Sequence, residues 1–174
     1  MLARRLTTLA LLMSIAACGT ARTPAPSPTG SASPSVSAEY NAADVAFVRA
    51  LIPHHEQGIA LAALGAKATR PDVRMLTGAI VTTERDEAQR MAGWLAAWKQ
   101  SPAPAPKATA LPTATGPALD RAVLTDLIAH QREAIKLAAE EAKDGRNLNA
   151  ISFAEQIQQS RAAEIQQMRT YLTS

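Results

Sequence analysis

The chain has little cysteine, few aromatic residues and no long apolar run. Its 174 residues include one cysteine, so no disulfide can form within the chain. Aromatic residues make up 3% of the sequence, and basic and acidic residues interleave rather than form a stripe, which argues against a nucleic-acid partner. The sequence has no glycine-rich phosphate loop and no nucleophile elbow, which disfavours the enzyme classes built on those motifs.

The N-terminus has the pattern of a secretory signal. Arg4 and Arg5 precede an apolar run, residues 9–15, that is shorter than the roughly 20 residues of a membrane-spanning helix. Small residues then lead to Cys18, and this Ile-Ala-Ala-Cys sequence resembles a bacterial lipobox. We expect a signal peptide over 1–17 and acylation of Cys18, which would anchor the exported protein in membrane lipid, on the outer face of the cytoplasmic membrane or in the cell envelope. The alternative is an ordinary cleavage site beside a stray cysteine.

A tether is expected to follow the lipidation site. Residues 19–40 are rich in Pro, Ser, Thr, Ala and Gly, with almost no large apolar side chains, so they cannot offset the entropy cost of ordering. We therefore predict a lipidated, disordered segment over 18–40 and one folded domain over 41–174. The net charge of +3 falls to +1 when the two arginines of the signal are removed.

The folded part contains one pattern twice, with its two copies 76 residues apart. The first copy, DVAFVRALIPHHEQGIALA, begins at Asp44, and the second, DRAVLTDLIAHQREAIKLA, begins at Asp120. Each copy continues into a second matching segment of the form E-x-x-x-M-x-x-[WY]-L. Internal similarity of this kind indicates a duplicated supersecondary unit, and we predict repeats over about 42–99 and 118–173.

Apolar residues recur with a helical period in both repeats, and no stretch alternates as a strand would. Residues 101–117 are rich in Pro, Ala and Thr and are long enough to cross the domain. Two duplicated helical hairpins joined by this Pro/Ala-rich crossover make an all-α, ferritin-like four-helix bundle. The four helices are predicted over about 42–68, 71–99, 119–143 and 148–172.

Two local features of these helices affect the interpretation. Pro53 removes the backbone hydrogen bond to the Arg49 carbonyl, so it either kinks the first helix or begins a new one. The helical phase is therefore uncertain at this point, and the sequence leaves open which of His54 and His55 faces the core. Gly145 follows the third helix and is predicted to be a left-handed cap.

In each copy, a histidine lies on the first helix and a glutamate and a methionine lie on the second. Glu87 shares an apolar face with Met91, and a buried carboxylate needs a partner, which histidines on the neighbouring helix can supply. Imidazole suits several transition metals and a thioether favours Cu(I). We predict a metal site made of His54, His55, Glu87 and Met91, and a weaker second copy made of His130, Glu164 and Met168.

A metal-free interpretation accounts for the same residues. A buried His–Glu hydrogen bond within each hairpin would satisfy both groups, and methionines at helical spacing often only fill a core. No glutamate stands three residues before any histidine, so the Glu-x-x-His motif of di-iron bundles is missing and enzyme activity is not expected. The other glutamates, including Glu84 and Glu141, are expected on solvated faces.

Both copies resemble the bacterial domain of unknown function 305 family over residues 44–172. The resemblance is carried by IPHHEQGIALA on one helix and E-x-x-E-A-x-x-M-x-x-W-L on the next. It implies a ferritin-like bundle outside the cytoplasmic membrane. Some members of the family are described as copper-binding, and most have no assigned activity. The residues that match its pattern are His54, His55, Glu87 and Met91 in the first copy, and His130, Glu164 and Met168 in the second.

The chain departs from the family pattern at several positions. Leucines stand at 51, 61, 127 and 137, where the family usually has methionine. Gln131 replaces the second histidine of the second copy, and Glu84 and Arg161 replace glutamines. The loss of soft ligands weakens soft-metal binding, and Arg161 near Glu164 could supply a cation in place of a metal. We therefore expect a site in the first copy and a structural role for the second.

Two functional hypotheses follow from these observations. In the first, an extracytoplasmic, lipid-anchored protein binds a transition metal, copper above others, for storage or buffering. In the second, the domain is a metal-free interaction or structural module of the cell envelope with buried His–Glu pairs. A metal-dependent enzyme is a weaker third hypothesis. The sequence identifies no protein partner and is compatible with a homo-oligomer.

Overall fold

The computed structural model describes residues 39–174, which form four α-helices and no strand. The predicted signal peptide, the Cys18 lipidation site and the tether up to residue 38 lie outside these residues. The prediction of an all-α fold is confirmed. None of the described helices is both long and apolar enough to span a membrane. The elements are α1 (Ala42–Ala63), a short 3-10 helix (Leu64–Lys67), α2 (Pro71–Ala97), α3 (Pro117–Asp144) and α4 (Leu148–Thr173).

Local sequence signals explain where the helices begin and end. At the start of α1, the Asn41 side chain accepts a hydrogen bond from the Asp44 N–H, and the Asp44 carboxylate accepts one from the Asn41 N–H. This reciprocal capping box satisfies two amide groups that have no partner within the helix. α1 continues through Pro53, so no new helix begins there. The prediction for Gly145 is wrong, because it caps α3 in an extended conformation with φ −68°.

The helices pack as two hairpins, α1 with α2 and α3 with α4, and α1 also packs against α3. Their apolar side chains form two separate buried clusters. The first, here called the upper cluster, joins the first half of α1 to the second half of α2 and includes Phe47, Leu51, Met91, Trp94 and Phe153. The second, here called the lower cluster, joins the second half of α1 to the first half of α2. It includes Leu61, Ile80, Leu127, Ile165 and Met168. Residues between these two clusters along each helix therefore lie in one middle layer.

Equivalent aspartates hold each hairpin to the turn of the other. The Asp44 carboxylate accepts hydrogen bonds from the backbone N–H groups of residues 146 and 147, at 3.1 and 2.8 Å. The Asp120 carboxylate accepts from the N–H groups of residues 69 and 70, at 2.8 and 3.0 Å. Burial acts to raise the pKa of each aspartate, but the hydrogen bonds outweigh it and lower both pKa values. The duplication has thus produced two matching clamps between the hairpins.

The crossover between α2 and α3 lies along the outside of α1. The Arg49 side chain donates a hydrogen bond to the carbonyl of Ser101, at 3.2 Å, and the Gln57 side chain donates to the carbonyl of Lys107, at 2.8 Å. These two contacts place the middle of the crossover beside the same stretch of α1 that carries Pro53 and the histidines.

Candidate functional site

The middle layer between the two apolar clusters is polar. Each of the four helices contributes to it at a position between its upper-cluster and lower-cluster residues. Buried polar side chains need partners, and in this layer the partners come from different helices. The residues of the layer are His54 and His55 on α1, Glu84 and Glu87 on α2, His130 and Gln131 on α3, and Arg161 and Glu164 on α4.

The two histidines that the repeat makes equivalent lie against each other. The rings of His54 and His130 stack with their centroids 3.7 Å apart and their planes 1° from parallel. The Nε2 atom of His54 lies 3.2 Å from the carbonyl oxygen of His130. A carbonyl oxygen can only accept, so Nε2 carries the proton and the lone pair of His54 is on Nδ1.

His55 is the histidine that faces the core. Its side chain is fully buried, whereas those of His54 and His130 are partly exposed. The Nε2 atom of His55 lies 2.9 Å from a carboxylate oxygen of Glu87, but without the alignment of a hydrogen bond. The His54 and His55 ring centroids are 6.5 Å apart. The chain has three histidines, and all of them therefore meet in this one layer.

All three histidines are held in the neutral form. Burial, followed by the charge of the neighbouring His55, lowers the pKa of His54 to about 4. Burial, followed by the proximity of His54, lowers the pKa of His130 to about 3. Burial also lowers the pKa of His55, although its contact with Glu87 opposes this effect. Neutral imidazole is the form that binds metal ions, so these rings need no deprotonation at neutral pH.

Arg161 occupies the centre of the layer and is fully buried. Its guanidinium forms a close ion pair with Glu87, lies 3.3 Å from Glu164 and lies 3.9 Å from Glu84. Gln131 completes the network, because its side-chain amide donates to Glu164 at 2.7 Å and to Glu84 at 3.2 Å. One buried cation therefore serves carboxylates from both hairpins.

Sequence reasoning missed two buried glutamates. Glu84 and Glu141 were expected on solvated faces, and both are buried. Burial raises the pKa of Glu84 to about 8, although Arg161 opposes this. Burial and a hydrogen bond shared with Asp44 raise the pKa of Glu141 to about 8. The sequence contains a signal that could have indicated the burial of Glu84. Glu84 aligns with Arg161 of the second repeat, and the two residue types have opposite charges.

The predicted methionine ligands lie in the apolar clusters. Met91 packs in the upper cluster and Met168 in the lower one, and both are fully buried. The second-copy residues His130 and Glu164 lie in the same middle layer as the first-copy residues. The structure thus brings the histidines and glutamates of both copies to one place rather than to two.

The layer contains an unusual number of buried polar atoms without a hydrogen-bond partner. They include both ring nitrogens of His55, Nε2 of His130 and Oε2 of Glu84. A β-carbon placed on Gly58 would lie within 2.5 Å of the last two atoms, so they are at most 5 Å apart. Polar atoms of this kind can accept a hydrogen bond from water or bind an ion.

A cavity of about 500 Å³ opens beside the stacked rings. It is lined by His54 and His130, by the acidic residues Asp126 and Glu133, and by residues 109–111 of the crossover. Within residues 39–174, no three His, Cys, Asp or Glu side chains converge as the ligands of one ion would.

Known proteins show the same family and fold. The domain of unknown function DUF305 matches residues 44–110 and 103–172. The Cu(I)-bound form of CopM is 26% identical, with a TM-score of 0.67, over 75% of this chain and 95% of that one. An Ag-bound form of CopM is 27% identical, with a TM-score of 0.68, over the same shares.

A more distant structure agrees in fold. A DUF305 protein of Streptomyces coelicolor, described as secreted, is 22% identical, with a TM-score of 0.70, over 75% of this chain and 92% of that one. No curated protein matches the chain. The family model matches the chain twice, and the two matches together cover most of it. This chain therefore belongs to the DUF305 family and carries its domain in two copies.

Proposed function

We propose that this protein binds copper as Cu(I) outside the cytoplasm and stores or buffers it, anchored to the membrane by lipid on Cys18. The observation that carries the proposal is the meeting of all three histidines in one layer, in their neutral form, with unpaired ring nitrogens among them. His54 and His130 hold the ion in this proposal. His55 stands behind them as a third imidazole.

The chemistry of the site favours a soft monovalent ion. Imidazole nitrogen suits copper, and Cu(I) accepts as few as two ligands. That property fits a layer whose described residues offer no convergent set of three. The Cu(I)-bound and Ag-bound CopM structures are similar to this chain, which supports the choice of copper.

The proposed site differs in two respects from the four-residue site that was predicted from the sequence. Glu87 already pairs with Arg161 and contacts His55, so its negative charge is largely satisfied. Met91 packs among apolar side chains of the upper cluster. We therefore assign Glu87 a supporting role beside His55 and assign Met91 to the core, while His130 joins His54 from the other copy.

Storage or buffering fits the site better than catalysis. The carboxylates of Glu87 and Glu164 pair with Arg161 and are not free to act as a base for a substrate. The cavity beside the stacked rings gives an ion a route from the surface to His54 and His130. An ion that enters there meets ligands and no reaction partner.

A metal-free envelope module is the second candidate function, and Arg161 favours it. A buried cation already pairs with Glu87 and Glu164, so these carboxylates have a partner without a metal. In that case, the polar layer would specify the pairing of the four helices, a role that buried polar groups play in some bundles.

The decisive experiment compares Cu(I) binding by the Cys18→Ser chain and by its His54→Ala, His130→Ala double variant, with a chromophoric Cu(I) chelator as competitor. Cys18→Ser removes the one thiol, which would itself bind Cu(I). Gln57→Ala, which lines the same cavity, is the matched control. Loss of binding in the double variant alone supports the proposal. Equal binding in all folded variants, or none in the Cys18→Ser parent, overturns it.

A further inference from the structure

A second cavity, of about 540 Å³, lies between α2 and α4, and none of the middle-layer residues lines it. Two buried aromatic residues of the upper cluster form its base. The rings of Trp94 and Phe153 pack edge to face there, with their centroids 5.4 Å apart. Polar side chains from both helices complete the lining, namely Arg90, Asn149, Ser152 and Gln156. An apolar base with a few polar groups around it is the usual form of a small-molecule site.

Arg90 brings a positive charge to this cavity. Its guanidinium lies over the Phe153 ring, 5.4 Å from the ring centroid, which is a cation–π contact. In the part of the chain that the structure describes, the Arg90 side chain forms no ion pair and no hydrogen bond. No acidic residue lines the cavity, and its amide and hydroxyl side chains can donate hydrogen bonds. The cavity is therefore complementary to an anion.

Gly93 leaves the cavity open on the α2 side. It is one of the lining residues, and a β-carbon placed on it would meet no atom within 4 Å. A larger side chain at this position can therefore fill the cavity without displacing any neighbouring group.

The repeat provides an internal comparison for this cavity. The equivalent surface at the lower-cluster end of the bundle is built from the end of α4 and the start of α2. There, the counterparts of Arg90, Gly93 and Asn149 are Gln167, Thr170 and Asp72. That end lacks the guanidinium and the glycine and has an acid instead, so the fold itself does not require the features of the cavity.

We propose that the cavity between α2 and α4 binds a small organic carboxylate. Arg90 pairs with the carboxylate group, because a guanidinium matches it with two parallel hydrogen bonds. Trp94 and Phe153 contact the apolar part of the ligand. One cation balances one negative charge, which favours a monocarboxylate over a phosphate monoester, whose charge approaches −2 at neutral pH. The proposal involves none of the histidines and does not depend on the copper function.

The test uses phenylacetate as the probe and the NMR signal of the Trp94 indole N–H as the readout. The Cys18→Ser chain is used, because it carries no acyl chain that could bind an apolar probe. Phenethylamine and 2-phenylethanol are the matched cationic and neutral probes. We expect saturable binding of phenylacetate, about tenfold tighter than binding of phenethylamine, the effect of one hydrogen bond to a charged group.

Two variants locate the binding and assign its charge preference. Arg90→Gln keeps the cavity but removes the cation, so it should bind phenylacetate no more tightly than 2-phenylethanol. Gly93→Leu fills the cavity and should abolish the binding of all three probes. Its matched control is Gly78→Leu, which adds the same side chain to another open position of α2 and should leave binding unchanged.

Four results would overturn the proposal. The first is no saturable shift of the Trp94 signal by phenylacetate, and the second is equal affinity for phenylacetate and phenethylamine. The third is unchanged binding in a folded Gly93→Leu variant. If circular dichroism shows that this variant is unfolded, unchanged binding by Arg90→Gln takes its place. The fourth is a dimer of the parent chain that Gly93→Leu disrupts, which would assign the cavity to a second copy of the chain.

Discussion

The imidazole rings of His54 and His130 stack face to face, 3.7 Å apart, although 76 residues separate them in the chain. Each copy of the repeat contributes one ring, so the pair exists only because both hairpins are present. Burial lowers the pKa of both residues, and repulsion from His54 lowers that of His130 in the same direction. The duplication therefore creates a ring pair that neither copy has alone.

Gly58 leaves room for the unpaired atoms of the layer, and this gives the first prediction. A β-carbon there would overlap the Glu84 carboxyl group and Nε2 of His130. Gly58→Ala should destabilise the fold by about 1–3 kcal/mol through overpacking and weaken Cu(I) binding at His130. Chemical denaturation and Cu(I) competition will measure the two effects.

The control for this variant is Gly78→Ala, an exposed α2 position where a β-carbon would meet nothing within 4 Å. It should stabilise the fold by about 0.5–1 kcal/mol through helix propensity and leave Cu(I) binding unchanged. Equal effects of the two substitutions would contradict the close approach described at Gly58.

The Asp120 clamp gives the second prediction. Asp120→Ala leaves the backbone N–H groups of residues 69 and 70 without their acceptor. We expect a loss of about 1.5–3 kcal/mol of unfolding free energy, the range for hydrogen bonds to a charged group. Asp86→Ala, on an exposed face of α2, should change stability by less than about 0.5 kcal/mol. Similar denaturation midpoints for the two variants would mean that the clamp contributes little.

Glu141 gives the third prediction, which concerns pH. Its pKa is raised from an ordinary 4.5 to about 8, so between these values the folded chain holds a proton that the unfolded chain has released. The contribution of Glu141 to the free energy of unfolding therefore falls as the pH rises through this window. The lowered pKa values of the histidines oppose it below their ordinary 6.5. Between about 6.5 and 8, where the histidines are neutral in both states, Glu84 and Glu164 act with the same sign as Glu141, so Glu141→Gln should reduce the slope without abolishing it. Thermal melts across this pH range will measure the slope. The control is Glu140→Gln at an exposed position, which should keep the full slope.

Met91 gives the fourth prediction. It was predicted from the sequence to be a metal ligand, and the structure packs it in the upper cluster. Met91→Leu conserves volume and apolar character, so it should cost less than about 1.5 kcal/mol of stability and leave the Cu(I) affinity unchanged. A large loss of affinity in a fully folded Met91→Leu variant would restore the thioether to the ligand set.

The repeat and the apolar periodicity were sufficient to predict the fold. They located the four helices, and the turn residues Pro71 and Pro117 begin α2 and α3 as proline does at a first helical turn. Periodicity identifies which face of a helix is apolar, and each face was found by that signal. Gly145 shows its limit, since it caps α3 in an extended conformation, where a β-carbon would meet the Glu141 side chain.

The arrangement of the site was less accessible from the sequence. Glu84 looks like a surface residue on α2 alone, and its burial depends on Arg161 and Gln131, which come from α4 and α3. The pairing of His54 with His130 likewise depends on how the two hairpins meet. Residue spacing along one helix predicts a separate site in each copy of the repeat. Only the packing of α1 against α3 shows that the candidate residues of the two copies lie together.

The number of copper ions bound per chain tests the central claim most directly. The purified Cys18→Ser chain is loaded with excess Cu(I), desalted and subjected to elemental analysis. A shared site predicts about one equivalent, because His54 and His130 act together on one two-coordinate ion. A chain that retains no copper while fully folded would contradict the account. Two equivalents would show that each copy binds its own ion and would contradict the shared site.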